Sequence, residues 1–373
     1  MNLSGGFRIA RIRGIDILVH WSWLVIFGLL SWSFAEGLYV EAGPGLSAPV
    51  RWAAALLTAA LFFGSVLLHE LSHAVLAQRA GMGVPSITLF IFGGVSSIAG
   101  EMRSPGAEFR VAIAGPLMSW FLGGVCFILS ILTTGLAHHM FGYLAMINAV
   151  LGLFNLLPGF PLDGGRVLRS IVWARTDDLE RATRVAAAVG QLIAFAMIAG
   201  GLVVVFVYGD VGGVWYMLIG LFLRNAALGA YTATLTDRVL RDIAASGVMR
   251  AAPVPVDATT TIAALVNTRV LPEAERAFLV VQDGRVVGLV TATDIARVPR
   301  EEWVTMAVSH IMVPSGRVIT VTPRTPILEA MQLMQEHDVH QLPVLDGGQL
   351  VGMLTRGDVL NQLEVRLQFS ERQ

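Results

Sequence analysis

The chain has 373 residues, of which 55% are hydrophobic and only 14% charged, and its mean hydropathy is +0.67. That balance excludes a disordered chain and is far from that of a soluble globule, while a formal net charge of −1 leaves no basic field for nucleic acid. The single cysteine, Cys126, lies in a long apolar run, so a disulfide framework and a thiolate zinc site are both excluded, and any metal must be held by histidines and carboxylates.

Charged residues are sparse before Asp237 and dense after it, which predicts a membrane part over residues 1–240 followed by a soluble part. A spanning helix needs about 20 mostly apolar residues. In chain order the stretches that qualify are Ile15 to Ala35, Trp52 to Ala77, Val111 to Thr134, Phe141 to Leu162, Val185 to Tyr208 and Val211 to Leu235. The first lacks the cleavage site of a secretory signal and is read as a retained helix. Arg8, Arg11 and Arg13, then Arg79, Arg103 and Arg110, then Arg166 through Arg184, then Arg238 and Arg241 fall on one side; Arg51 stands on the other. By the positive-inside rule the N-terminus and the C-terminal part are expected in the cytoplasm of a bacterial or archaeal cell. Arg224 interrupts the sixth stretch and is expected to snorkel to the interface. Between the second and third stretches, Ile87 to Ala99 is too short to span and rich in strand formers. It predicts a membrane-associated β-hairpin centred on Gly93-Gly94, whose edge offers a place for another extended peptide.

The second stretch contains His69-Glu70-Leu71-Ser72-His73, the HExxH pattern. Residues four apart share a helix face, so both imidazoles can reach one Zn²⁺, with the glutamate beside the water that such a site activates. A catalytic zinc needs a third protein ligand. Asp163 is the candidate, at the cytoplasmic end of the fourth stretch in the segment Asn155 to Gly165, where Pro158 and Pro161 interrupt the helix. The bland alternative for Asp163 is the cap of a following helix that carries Arg166 and Arg169. Asn155 is expected to face the same region, where its amide either donates to an oxyanion or only packs helices. His20, among tryptophans, reads as a hydrogen-bonded interface residue, and His138-His139 as a solvated outer loop.

On these residues, together with Ala114-Gly115-Pro116-Leu117 and the Gly93-Gly94 hairpin, the chain resembles the site-2 proteases, a family of intramembrane zinc metalloproteases, over roughly residues 7 to 235. The resemblance implies His69, His73 and Asp163 as ligands of one Zn²⁺ and Glu70 as the catalytic acid/base. It implies that Gly93-Gly94 helps hold an unwound substrate strand. The substrate class implied is a single-span membrane protein, such as an anti-sigma factor, cut within its transmembrane segment to release a cytosolic domain. Family members often show Asn where Ser119 stands, so no role is assigned to Ser119.

After Thr236 the chain repeats itself. Val248-Met249 matches Ile311-Met312, the run Ala277 to Gly284 matches Gln341 to Gly347, and Gly288-x-x-Thr291-x-x-Asp294 matches Gly352-x-x-Thr355-x-x-Asp358. Each copy reads as strand, helix, two strands joined by an Asp-Gly turn, and a helix beginning at the Asp. The repeat resembles a tandem pair of CBS domains, with boundaries expected at residues 241–304 and 305–373. The resemblance nominates Thr291, Asp294, Thr355 and Asp358 for contact with an adenine nucleotide; alternatively these residues only cap helices and the pair serves homodimerisation. His337 and His340 read as packing residues. The expected fold is thus a polytopic bundle of about six transmembrane helices plus a cytoplasmic α/β tandem CBS module. The competing reading, an ion transporter with a CBS pair, needs polar groups along a path; here they gather as His-Glu-His plus Asp near one face.

Overall fold

The computed structural model describes residues 6–42, 45–91, 93–98, 102–273 and 275–370. The chain divides into two units, Met1–Thr234 and Leu235–Gln373.

The first unit opens with strands β1 (Gly6–Ile12) and β2 (Ile15–His20), followed by helix α1 (Trp21–Ser33), which runs through a π-turn into the short α2 (Tyr39–Ala42). The expected first stretch, Ile15 to Ala35, is corrected here: its first six residues are a strand. Ile15, Ile17 and Val19 are buried while Asp16, Leu18 and His20 are half-exposed, the period-two pattern of a sheet. His20 then caps α1, its Nδ1 accepting from the Ser22 amide at 3.3 Å.

Helix α3 (Ala48–Arg79) has Pro49 in its first turn, and its last turns carry the HExxH residues. Strands β3 (Ser86–Phe90) and β4 (Gly93–Ser97) form the expected hairpin, but Gly93 and Gly94 open its second strand rather than sit at its turn; Phe92 and Ala99 lie outside the described residues. Nor does the hairpin stand alone. β2 pairs parallel with β3, giving a four-stranded sheet of order β1-β2-β3-β4 with β4 at one edge. Helix α4 (Pro105–Leu132) begins with Pro105 after Ser104, whose side chain accepts from the Ala107 amide.

Helix α5 (Gly135–Asn155) stops seven residues before the expected end at Leu162, because Leu156 to Leu162 form an irregular turn that contains Pro158, Gly159 and Pro161. It also absorbs His138 and His139, which are therefore helical rather than in a loop; His138 Nδ1 meets the Ser130 carbonyl at 2.8 Å. Helix α6 (Asp163–Thr176) begins at Asp163 itself. Helix α7 (Leu179–Tyr208) is capped by the Asp178 side chain and stopped by left-handed Gly209, and helix α8 (Gly213–Leu240) follows. The six membrane-length apolar helical segments are Trp21–Glu41, α3, α4, α5, α7 and α8.

The second unit contains the repeat. Strands β5 (Arg250–Ala251), β6 (Val256–Asp257), β7 (Ala277–Gln282), β8 (Arg285–Thr291), β9 (Val313–Pro314), β10 (Gln341–Asp346) and β11 (Gln349–Thr355) form two sheets, of order β6-β7-β8-β9 and β10-β11-β5. The copies exchange their leading segments: β9 pairs with β8 of the first copy, and β5 with β11 of the second. The β7-β8 turn is the expected Asp283-Gly284, whereas the second copy turns at Gly347-Gly348, all four residues at positive φ as tight hairpins require.

This exchange explains the first glycine of each Gly-x-x-Thr-x-x-Asp unit. A Cβ on Gly288 would lie 2.6 Å from the Val313 carbonyl oxygen and 2.7 Å from the Met312 sulfur; one on Gly352 would lie 2.6 Å from the Arg250 carbonyl oxygen and 2.7 Å from the Met249 sulfur. The methionines of the repeated Val248-Met249 and Ile311-Met312 pairs therefore fill those hollows. Gly288→Ala and Gly352→Ala are each expected to destabilise the repeat by about 1–3 kcal/mol through overpacking, measured by denaturant unfolding followed at Trp303.

Candidate metal centre

Three helices converge on one buried point. His69 and His73 project from α3 and are 4% and 6% exposed, and Asp163 reaches them from the first residue of α6. Asp163 Oδ2 lies 3.1 Å from His69 Nε2 and 3.2 Å from His73 Nε2, and the two imidazole nitrogens are 3.3 Å apart. Ligands about 2.0–2.1 Å from a tetrahedral zinc stand about 3.3 Å from one another. The donor set is thus spaced as a zinc site requires, and all three donor atoms lie within 4.8 Å of one another.

Helix α4 orients both rings. His73 Nδ1 is 2.7 Å from the Val111 carbonyl oxygen. A carbonyl can only accept, so Nδ1 carries a proton, and in the neutral ring this leaves the Nε2 lone pair for the centre. His69 Nδ1 is 2.9 Å from the hydroxyl of Ser119, which is fully buried. This approach is possible because Gly115 stands between them: a Cβ there would come within 2.2 Å of His73 Nε2 and 2.5 Å of His69 Nε2.

Glu70 contacts the edge strand. Its Oε2 accepts from Ser96 Oγ of β4 at 2.7 Å, and a Cβ on Gly94 would come within 2.5 Å of Glu70 Cγ. Gly94 is therefore what lets β4 lie against the glutamate, while Gly93 supplies a backbone φ of +126° at the strand's start. Asn155 ends α5, and its amide donates to the Leu151 carbonyl at 3.0 Å. Ser119 and Ser96 are contacts that sequence reasoning missed. Each lies tens of residues from the histidine or glutamate it touches, and a lone serine carries no spacing signal.

In the second unit, Thr291 and Asp294 form a capping box, Thr291 Oγ1 donating to Asp294 Oδ2 at 2.6 Å and the Asp294 amide donating back at 3.2 Å. Both line a cavity of about 880 Å³ that also receives Arg276, Arg297, Arg317 and His340. Thr355 and Asp358 make the same bonds to one another, but they are absent from that lining, and Asp358 Oδ1 is held by Arg250 at 2.5 Å. His337 and His340, expected to pack, are both exposed.

Comparison with known proteins matches this geometry to a family. The model of peptidase family M50 matches residues 57–136 and 131–198, and that of the CBS domain matches 241–301 and 308–365. A Mycobacterium tuberculosis protein bearing the name zinc metalloprotease Rip3 is 36% identical over 364 residues, covering 96% of this chain and 92% of its own. A Synechocystis relative with a zinc metalloprotease name, sll0528, is 34% identical over 97% of this chain and 96% of its own. Among solved structures, the site-2 protease from Methanocaldococcus jannaschii aligns at 29% identity and a TM-score of 0.44, over 61% of this chain and 95% of that one. The full-length match to the first relative, with six membrane-length helices and a zinc-spaced donor set, means that this chain belongs to peptidase family M50, the site-2 protease type of membrane zinc metalloendopeptidase, and carries a tandem pair of CBS domains.

Proposed function

We propose that the chain cleaves the transmembrane segment of single-span membrane proteins at a zinc centre held by His69, His73 and Asp163, with Glu70 as acid/base. The observation that carries this reading is the mutual spacing of the three donor atoms, 3.1 to 3.3 Å. When bound, zinc supplies Lewis-acid polarisation of the scissile carbonyl and makes water acidic enough to act near neutral pH. Glu70 takes the proton from the attacking water and returns it to the leaving amine. Ser96 holds one oxygen of Glu70 and so turns the other toward that water. Asn155 keeps one amide N–H on the Leu151 carbonyl and offers the second to the tetrahedral oxyanion.

A helical substrate shields its carbonyl carbons within its own hydrogen bonds and must unwind before it is cut. The open edge of β4, at Gly93 and Gly94, suits an unwound segment that adds as a further strand. The excess of arginines on one side supports an orientation with the N-terminus and the CBS pair in the cytoplasm, so that cleavage frees a cytosolic domain of an anti-sigma-factor-like substrate. The CBS pair regulates this step by taking an adenine nucleotide at Thr291 and Asp294, where three arginines suit its phosphate. The Arg250 ion pair at Asp358 makes the second copy the less open of the two.

Metal analysis of detergent-purified protein, paired with cleavage of a single-span reporter, tests the centre. Glu70→Gln is expected to retain about one zinc per chain and to lose cleavage by roughly 10²–10⁴-fold, and Asp163→Ala to bind zinc measurably more weakly than the parent. Absence of zinc from the parent, or undiminished cleavage by Glu70→Gln, sinks the mechanism. Gly115→Ala is expected to abolish zinc binding, because the added methyl occupies the space between the two imidazoles. Calorimetric titration with AMP is expected to show saturable binding to the parent and to Asp358→Asn, and none to Asp294→Asn; equal binding by all three refutes the assignment to the first copy.

A further inference from the structure

Asp163 differs from the two histidines in how it arrives at the centre. His69 and His73 are fixed to each other by one turn of α3, whereas Asp163 comes from another helix that follows an irregular turn. Something must hold the start of α6 in register with the imidazoles. The frame for those imidazoles is α4, through Val111 and Ser119. One turn before Val111, on the same face of α4, stands Glu108, which is 1% exposed.

Arg169 of α6 reaches that carboxylate. Its Nε donates to Glu108 Oε1 at 2.6 Å, and its Nη2 meets the same oxygen. The Arg169 guanidinium also lies 5.2 Å from the centroid of the Phe160 ring, within the irregular turn that leads into Asp163. A single side chain therefore grips both α4 and the approach to α6. Glycines let the two parts close up: a Cβ on Gly164 would lie 2.2 Å from the Leu156 carbonyl oxygen, and one on Gly165 would lie 2.4 Å from the Phe160 amide nitrogen.

A buried ion pair is a poor source of stability, since well-packed apolar residues in its place are often as good. What a planar guanidinium on a carboxylate supplies is direction. We infer that Glu108 and Arg169 are positioning residues, a clamp that ties α6 to α4 and thereby sets the Asp163 carboxylate against His69 and His73. This rests on the reading of Asp163 as a zinc ligand.

The test is zinc affinity of the full-length, detergent-purified chain, measured by chelator competition for the parent, Asp163→Ala, Arg169→Met, Glu108→Gln and the double variant Asp163→Ala/Arg169→Met. Arg169→Met and Glu108→Gln are each expected to weaken zinc roughly 10–100-fold, as loss of groups that orient ligands does. The double variant is expected to bind zinc no more weakly than Asp163→Ala alone, because the clamp acts through Asp163. Parent-like affinity in Arg169→Met and Glu108→Gln, or losses that multiply in the double variant, overturns the clamp. If Arg169→Met does not fold, the near-isosteric Glu108→Gln and its combination with Asp163→Ala give the same comparison. Parent-like affinity in Asp163→Ala refutes the ligand reading itself, an outcome distinct from failure of the clamp alone.

Discussion

The centre depends on α4 passing its bare backbone between two imidazoles. At Gly115 there is no room for even one methyl group, and from that contact the helix reaches back with Val111 and forward with Ser119 to fix the two rings by their Nδ1 atoms. Removing the side chain at one position thus permits the orientation of two others. With Nδ1 of His73 committed to a carbonyl, the neutral ring has its Nε2 available to a cation without any change of tautomer. The remaining donor comes from α6, whose start is pressed by Gly164 and Gly165 onto the turn before it. Small residues recur where backbones meet because, in a bundle surrounded by lipid, association rests on close packing rather than on expulsion of water.

The second unit solves a related problem by repetition. Neither copy's sheet is complete without a strand from the other: β9 lies on β8, and β5 on β11. A methionine from one copy fills the hollow over a glycine of the other, twice, so each half covers the other's core edge. Yet the copies are not chemically equal. Asp294 faces an arginine-lined cavity, whereas Asp358 is 7% exposed and carries Arg250 on its outer oxygen. Asp294 Oδ1 has Arg297 only at 3.9 Å and can still accept from a ligand, whereas Asp358 Oδ1, held by Arg250 at 2.5 Å, has to exchange partners first.

What was legible in the sequence was local. HExxH works through helical spacing, and the 64-residue repeat declares its own strands, turns and capping pairs. Hydropathy also found six helices, but it misplaced boundaries wherever an apolar run changed period. Ile15 to His20 is as apolar as the helix after it, and only the alternation of burial, which depends on β3 lying alongside, marks it as a strand. The fourth stretch was drawn too long for the opposite reason: Leu156, Leu157, Phe160 and Leu162 are apolar, but the prolines among them forbid helix. The contacts of Ser119, Ser96 and the Glu108–Arg169 pair were illegible because they join residues 50, 26 and 61 positions apart, and no periodicity connects them.

The position of Glu70 carries the last consequence. The two histidines beside it are locked by hydrogen bonds to a helix, but the glutamate is bound to an edge strand, through Ser96 and the close approach of Gly94. An acid/base must move a proton twice and so needs an oxygen that is positioned yet not buried in a network of fixed donors. A single serine hydroxyl on β4 meets that need, since it holds one carboxylate oxygen and leaves the other unencumbered. It also ties Glu70 to the edge strand proposed to receive an incoming peptide. With Glu70 as the proposed acid/base and β4 as the proposed place of strand addition, displacement of β4 would shift Glu70 relative to the imidazoles, and one hydroxyl would link the two steps.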